Sequence, residues 1–169
     1  MQASDEALFA LATRVGRRFA TARLTLAAAE SCTGGWISKA VTDVAGSSQW
    51  FVEGFVTYSN QAKHERLGVP NSTLRKHGAV SEATARAMAA GAIRRSRANV
   101  AVAVTGIAGP GGGVAGKPVG TVWLAWARRR GRRIEVAAEL RYFRGDRQEI
   151  RRKTVRAAML GLMRSKVEE

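Results

Sequence analysis

The first side chains that could attack a substrate lie in a turn between a predicted strand and a predicted helix. Ser31, Cys32 and Thr33 form this turn, and Gly34 and Gly35 follow it. Backbone N–H groups at the start of a helix lack partners within the helix, so this turn could bind a phosphate or stabilise an oxyanion. A thiol at a helix N-terminus can ionise to a reactive thiolate. A lone cysteine is more commonly a small buried residue, and we interpret Cys32 in that way.

A second candidate nucleophile follows the next predicted helix. Ser48 comes shortly after Gly46, in a position where serine usually bonds to the local backbone. A serine hydroxyl is scarcely ionised at neutral pH and needs a base. No particular acid is evident that would orient His64, whereas a buried Lys63 would lose its charge and serve as the base of a Ser/Lys pair. Tyr58 could then relay a proton or orient the pair.

The glycine-rich stretch of residues 106–120 imitates two nucleotide-binding motifs and satisfies neither. Gly111, Gly113 and Gly116 have the dinucleotide-binding spacing, and Gly111, Gly116 and Lys117 nearly fit the phosphate-loop pattern. Both motifs lead into a helix, but the following residues, PVGTVWLAWA, predict a strand. We therefore expect neither a dinucleotide site nor an ATPase site. A flexible connection and an anion site built from bare glycine N–H groups both remain compatible with this stretch.

Predicted helices and strands alternate along the chain. Six helices are predicted. The first begins near Ser4, the second spans Gly34–Val44, and two short ones end near Gly68 and Gly78. The fifth runs from Ser81 to about Arg97, and the last runs from an Asp146/Glu149 capping box to about Lys166. The predicted strands are Leu24–Ala29, Trp50–Tyr58, Val100–Val104, Val119–Ala127 and Ile134–Phe143, the last two forming an antiparallel hairpin that turns at Gly131. This pattern predicts a layered α/β domain with a mixed sheet. Binding sites in such sheets gather at strand ends, here residues 30–35, 46–48 and 105–118.

Composition excludes several classes of protein. The chain has 169 residues, which predicts a single domain over 1–169. It has no apolar run of membrane-spanning length, and its acidic N-terminus does not resemble a secretory signal, so we expect a cytoplasmic protein that does not enter a membrane. One cysteine and two histidines make a structural zinc site unfavourable.

The net charge of +15 arises from 28 Lys and Arg against 13 Asp and Glu. Such a charge suits an anionic partner, namely nucleic acid, an anionic membrane surface or a phosphorylated substrate, but a solvated basic surface rich in arginine accounts for most of it equally well. The basic residues are spread along the chain and no aromatic residues are interleaved with them as a stacking platform. We therefore do not expect a nucleic-acid partner, and we expect one or two arginines near the site to hold a phosphate.

Several long blocks are more specific than any of these short motifs. They are AESCTGG (29–35), AGSSQWFVEGFVTYSNQAK (45–63), HGAVS (77–81), VTGIAGPGGG (104–113), KPVGTV (117–122) and GDR (145–147). From Leu24 to about Arg156 the chain resembles the CinA C-terminal domain family, whose stand-alone members include PncC-type nicotinamide-mononucleotide amidohydrolases. The resemblance implies a three-layer α/β/α sandwich that associates as a homo-oligomer and uses no metal or organic cofactor.

The resemblance also implies a reaction and the residues that carry it out. The expected reaction deamidates a small nucleotide substrate, nicotinamide mononucleotide, to nicotinic acid mononucleotide and ammonia, a step in pyridine nucleotide salvage and NAD metabolism. Ser48 is implied as nucleophile, Lys63 as base and Tyr58 as their assistant. The implied substrate-binding residues are Ser31, Thr33, Gly34, Thr105, Gly106 and Arg147. Two alternatives remain open: a non-catalytic binding module linked to competence and DNA damage, and a hydrolase of a related amide.

Overall fold

The computed structural model describes residues 4–164 as alternating helices and strands. The strands are β1 (Leu26–Glu30), β2 (Phe51–Val56), β3 (Val100–Gly106), β4 (Thr121–Arg130) and β5 (Arg133–Tyr142). The helices are α1 (Asp5–Thr21), α2 (Trp36–Thr42), α3 (Asn60–Leu67), α4 (Asn71–His77), α5 (Glu82–Arg95) and α6 (Arg147–Arg164), with a short 3-10 helix at Ser47–Gln49. The predicted order of elements is confirmed, whereas the predicted end of the last helix, near Lys166, lies outside the described residues.

The five strands form one mixed sheet in the order β2-β1-β3-β4-β5. The strands β2, β1 and β3 are parallel, and β4 and β5 add to them antiparallel. The pairing of Arg130 with Arg133 leaves Gly131 and Arg132 as a two-residue turn, in which Gly131 has the positive φ of 58° that such turns need. The predicted mixed sheet and its hairpin are confirmed.

Helices cover both faces of the sheet because alternate residues of each strand point to opposite sides. In β3, Val100, Val102 and Val104 join the core beneath α1, α2 and α6. Ala101 and Ala103 join the second core, beneath α3, α4 and α5. The predicted three-layer α/β/α sandwich is confirmed, and its α5 face is lined by the smaller side chains.

Local capping determines where several helices begin. Ser81 accepts a hydrogen bond from the Thr84 N–H at 3.2 Å, which caps α5 at the predicted residue. At the start of α6, the Asp146 N–H donates to Glu149 at 2.9 Å and the Glu149 N–H donates to Asp146 at 2.8 Å. This reciprocal pair is the predicted capping box. Within residues 4–164, no helix is both long and apolar enough to cross a membrane.

Candidate active site

The three parallel strands end together at one edge of the sheet, which we call the carboxyl edge. Glu30 at the end of β1 pairs with Val56 of β2 on one side and Val104 of β3 on the other. The turn after β1, the segment that leaves β2 and the loop that leaves β3 therefore start side by side. In open α/β sheets this edge is where ligands bind.

A buried lysine contacts a serine at the carboxyl edge. Lys63, in the first half of α3, is only 1% exposed. Its Nζ lies 3.0 Å from the Ser31 Oγ in the turn after β1. The backbone oxygens of Thr57 and Tyr58, which follow β2, lie 2.7 Å and 3.4 Å from the same Nζ. The amine is thus held between two strand ends with one side-chain hydroxyl in reach.

Burial lowers the pKa of Lys63 from 10.5 to about 8, because the charged form loses its hydration. Among the described residues, no carboxylate forms an ion pair with this amine. With such a pKa, roughly a tenth of the lysines are neutral at pH 7. A neutral amine can accept the Ser31 hydroxyl proton, so the pair has the chemistry of a nucleophile and its general base.

Within one chain, the structure does not bring Ser48 to Lys63. This exposed serine lies in the 3-10 helix that precedes β2, whereas Lys63 follows β2. The Trp50 carbonyl, just after the 3-10 helix, accepts from the Leu26 N–H at the start of β1, which places this helix at the opposite edge of the sheet. A six-residue strand is about 20 Å long, so β2 separates the two side chains within one chain. Ser31 occupies the place beside the amine that was predicted for Ser48.

The N-terminus of α2 is already occupied by a carboxylate of this chain. Glu30 is fully buried and accepts hydrogen bonds from the N–H groups of Gly35, Ile37 and Ser38 at 3.2, 2.9 and 2.8 Å. The Thr33 hydroxyl also donates to Glu30, at 2.6 Å. Of the two uses that the sequence left open for this turn, a phosphate at the helix start is disfavoured, because Glu30 accepts from its donors. The Thr33 side chain faces this carboxylate and is itself fully buried.

The turn after β1 nevertheless retains two available donors. Gly34 adopts a positive φ of 59°, and its N–H donates to the Ser31 carbonyl at 3.1 Å, which closes the turn. Across residues 4–164, the N–H groups of Cys32 and Thr33 reach no acceptor on another residue, and the Cys32 N–H interacts only with its own thiol sulfur. Both donors directly follow the Ser31 nucleophile candidate, where a developing oxyanion would need them.

Cys32 is an inert side chain in this turn. It is 5% exposed, and burial raises the pKa of its thiol to about 12. A thiolate is the reactive form, so this cysteine is not a nucleophile near neutral pH. The interpretation of Cys32 as a small buried residue is confirmed.

Two of the predicted substrate-binding residues, at the end of β3, have structural roles. The Thr105 hydroxyl is buried and donates to the Ala79 carbonyl at 2.8 Å, which ties β3 to the loop before α5. A Cβ on Gly106 would lie 2.7 Å from Val122 and 2.8 Å from the Thr121 carbonyl oxygen, so close packing against β4 requires glycine here. Packing therefore accounts for both residue types without a ligand.

Arg147 and Tyr58 meet on the exposed rim of the site. Arg147 donates to the Gly109 carbonyl at 2.7 Å and to the Tyr58 hydroxyl at 3.0 Å. Tyr58 is 61% exposed, and only its backbone oxygen approaches Lys63. The Tyr58 hydroxyl bonds to Arg147 at the rim, so in this structure it does not orient the Lys63 amine as predicted. The arginine joins the segment after β2 to the loop after β3.

Sequence reasoning missed Arg151, which contacts the turn from α6. Its Nε donates to the Cys32 carbonyl at 3.1 Å and its Nη2 donates to the Thr33 carbonyl at 2.8 Å. Its guanidinium also lies over the Trp36 ring, 5.3 Å from the centroid. Residues four apart share one face of a helix, so the spacing from Arg147 is the signal that could have identified it.

Comparisons with known proteins cover nearly the whole chain. The model of the CinA C-terminal domain matches residues 8–166. The nicotinamide-nucleotide amidohydrolase PncC of Escherichia coli K12 is 49% identical over 156 residues, 92% of this chain and 93% of that protein. The protein of the same name from Pseudomonas putida is 51% identical over 153 residues, 90% of this chain and 93% of that protein.

The fold is also similar to solved structures. The crystal structure of the competence/damage inducible protein CihA from Agrobacterium tumefaciens superposes with a TM-score of 0.87 at 50% identity and covers 96% of each chain. A competence-damaged protein (CinA) superfamily structure from Escherichia coli gives a TM-score of 0.86 at 37% identity, covering 95% of this chain and 90% of that one. The similarity therefore includes the elements that carry both Ser31 and Lys63.

Proposed function

This chain belongs to the CinA C-terminal domain family, and we propose that it hydrolyses the carboxamide of nicotinamide mononucleotide to a carboxylate and ammonia. Relatives that are about half identical over most of their length bear the name of that activity. The observation that carries the proposal is the contact of the buried Lys63 amine with the Ser31 hydroxyl. This pair provides the nucleophile and base that amide hydrolysis needs.

The first step is attack by Ser31 on the carboxamide carbon. Neutral Lys63 takes the hydroxyl proton while the serine oxygen forms the new C–O bond, which gives a tetrahedral oxyanion. The N–H groups of Cys32 and Thr33 donate to this oxyanion. The loss of one such donor typically raises the barrier by about 3 kcal/mol, so these two groups supply a large part of the catalysis.

The second step releases ammonia and then regenerates the serine. The C–N bond breaks as the Lys63 ammonium gives its proton to the leaving nitrogen, which departs as ammonia. An ester on Ser31 remains. Water attacks this ester with Lys63 again as base, the serine oxygen leaves and recovers its proton, and the nucleotide departs as a carboxylate. The lysine thus acts alternately as base and acid in one position.

The phosphate of the substrate is assigned to the loop after β3 and to Arg147. Glu30 occupies the α2 N-terminus, so the anion must be held elsewhere along the carboxyl edge. Arg147 already bonds to Gly109 in that loop, and a guanidinium binds phosphate through two parallel hydrogen bonds. The exposed glycines Gly111, Gly112 and Gly113 can add backbone donors. Tyr58 would close the rim beside the nucleotide.

Three features expected from the sequence stay predictions. They are a single domain over residues 1–169, assembly as a homo-oligomer and a cytoplasmic location. The proposed steps take place within one chain and use only its side chains and backbone groups. Size-exclusion chromatography with light scattering would measure the oligomeric state independently of the activity.

The proposal is tested with the purified protein and nicotinamide mononucleotide. We expect ammonia and nicotinic acid mononucleotide to form in equal amounts, measured by a coupled dehydrogenase assay and by chromatography. Nicotinamide riboside, which lacks the phosphate, is the matched control and should be a much poorer substrate. Turnover of a different amide alone would favour the hydrolase of a related amide. If no amide is hydrolysed and DNA binding falls steeply with salt, the binding module would be favoured.

The rate should depend on pH through the Lys63 amine. The neutral form is the base and its pKa is lowered to about 8, so the active fraction grows as the pH rises through that value. We expect kcat/KM to increase about tenfold per pH unit below pH 8 and to level off above it. Initial rates between pH 6 and 9.5 measure this. A rate that is constant over that range would mean that another group accepts the proton.

A further inference from the structure

Arg151 contacts the nucleophile turn without contacting the nucleophile or the base. Its two hydrogen bonds go to the backbone carbonyls of Cys32 and Thr33, at 3.1 and 2.8 Å. The side chain is partly buried against α2, with its guanidinium over the Trp36 ring. Arginine provides two donors in one rigid plane, which a lysine cannot match. The side chain thus contacts two successive peptide groups; the Thr33 carbonyl also accepts from the Trp36 N–H at 3.2 Å, whereas Arg151 is the side chain that bonds to the Cys32 carbonyl.

Peptide geometry connects these carbonyls to the proposed oxyanion donors. In a trans peptide, the C=O of one residue and the N–H of the next share a plane and point in opposite directions. The bond from Arg151 to the Cys32 carbonyl therefore directs the Thr33 N–H away from α6. The bond to the Thr33 carbonyl acts together with that from the Trp36 N–H to hold the Gly34 peptide, whose N–H donates to the Ser31 carbonyl at 3.1 Å. That last bond in turn orients the Cys32 N–H.

We propose that Arg151 is a positioning residue that holds the Cys32 and Thr33 N–H groups in the orientation an oxyanion requires. The inference rests on the proposed function for the role of these two donors. Donors that are already oriented need no reorganisation as charge develops, and this is why a fixed turn accelerates the reaction. Arg151 thereby differs from Arg147, which lies on the rim and is assigned to the substrate.

Arg152 provides a matched control on the same helix. Its guanidinium also lies over the Trp36 ring, 5.4 Å from the centroid, and it pairs with Asp5 at 3.2 Å. It makes no hydrogen bond to the turn of residues 31–35 among the contacts of the described residues. R152Q therefore removes a comparable stacked charge and leaves the turn in place.

The test compares R151Q and R151K with R152Q. We expect kcat for ammonia release to fall about 10- to 100-fold in both Arg151 variants, because the Cys32 and Thr33 N–H groups are displaced and not removed. The KM should stay within about twofold of the parent. The midpoint of the pH profile should stay where it is, because Lys63 is untouched. R152Q should retain the parental kcat. Equal loss in R151Q and R152Q, or a loss confined to KM, would overturn the proposal.

A second substrate separates this inference from the proposed function. Acetylation of Ser31 by p-nitrophenyl acetate uses the same oxyanion site whatever the natural amide is, and mass spectrometry locates the acetyl group. Slower Ser31 acetylation in R151K supports the positioning role even if nicotinamide mononucleotide is not hydrolysed. Parental acetylation rates in R151K, with ammonia release by the parent intact, would overturn the role of Arg151 and leave the proposed function standing. Thermal unfolding of each variant establishes that the protein is folded.

Discussion

Ser31→Ala is expected to reduce kcat for ammonia release at least about 10⁴-fold, because loss of a serine nucleophile leaves only binding and oxyanion stabilisation. The substitution removes a single oxygen that lies 3.0 Å from the Lys63 amine. Ser31 is 8% exposed, so the change creates little empty space and the protein should fold normally. Steady-state kinetics with nicotinamide mononucleotide measure the effect, and circular dichroism verifies the fold.

Ser48→Ala is the control for this experiment. Ser48 is exposed in the 3-10 helix before β2, and we expect its removal to leave kcat within about twofold. The reverse pattern, with activity retained in Ser31→Ala and lost in Ser48→Ala, would return the nucleophile to Ser48. A neighbouring subunit would then have to bring that serine to Lys63, since β2 separates the two within one chain.

Most elements could be predicted because their signals are local. Ser4 and Ser81 each accept a hydrogen bond from the first turn of the helix that follows, and Gly131 sits in the two-residue hairpin turn. The pattern of branched and small residues in β3 also matches two covered faces. Such features depend on a few neighbouring residues, which a sequence displays directly.

The serine beside Lys63 was harder to predict because strand direction determines which one it is. Ser48 is closer to Lys63 along the sequence than Ser31 is, and the block 45–63 contains both Ser48 and Lys63. A strand between two residues moves them to opposite edges of a sheet, whereas residues after neighbouring parallel strands share one edge. Ser31 follows β1 and Lys63 follows β2, so the hydrogen-bonded pairing of those strands brings them together. The pairing of β1 with β2 cannot be predicted from the sequence of either strand alone.

The occupied start of α2 could not be predicted for a different physical reason. The sequence around Gly34 and Gly35 indicates unpaired donors at a helix start, and the helix does begin there at Trp36. Whether donors are available depends on where the Glu30 side chain points, and the fold turns it back onto α2. A buried carboxylate at this place satisfies itself by capping the helix, so the same donors cannot also bind an anion.

Lys63→Met is the second substitution with a large expected effect, and it should act on activity and stability in opposite directions. Without the amine, nothing accepts the Ser31 proton, and we expect kcat to fall at least about 10⁴-fold. Methionine has a similar length and suits a side chain that is 1% exposed. The same steady-state assay measures the loss, and a kcat within tenfold of the parent would exclude Lys63 as the base.

The effect on stability follows from the lowered pKa of Lys63. The amine has a pKa of about 8 when folded and 10.5 as its ordinary value, so below pH 8 the folded state carries a charge that burial disfavours. Replacing it should raise the free energy of unfolding at pH 7 by about 1–3 kcal/mol, less whatever the hydrogen bonds of the amine to Ser31 and Thr57 contribute. As the pH rises from about 8 to 10.5, burial of the amine no longer destabilises the wild-type protein. The difference in the free energy of unfolding between the variant and the wild type should therefore shrink. Urea unfolding at pH 7 and pH 10 measures it, and a wild-type protein that is more stable than the variant at pH 7 would show that the charged amine is well solvated where it lies.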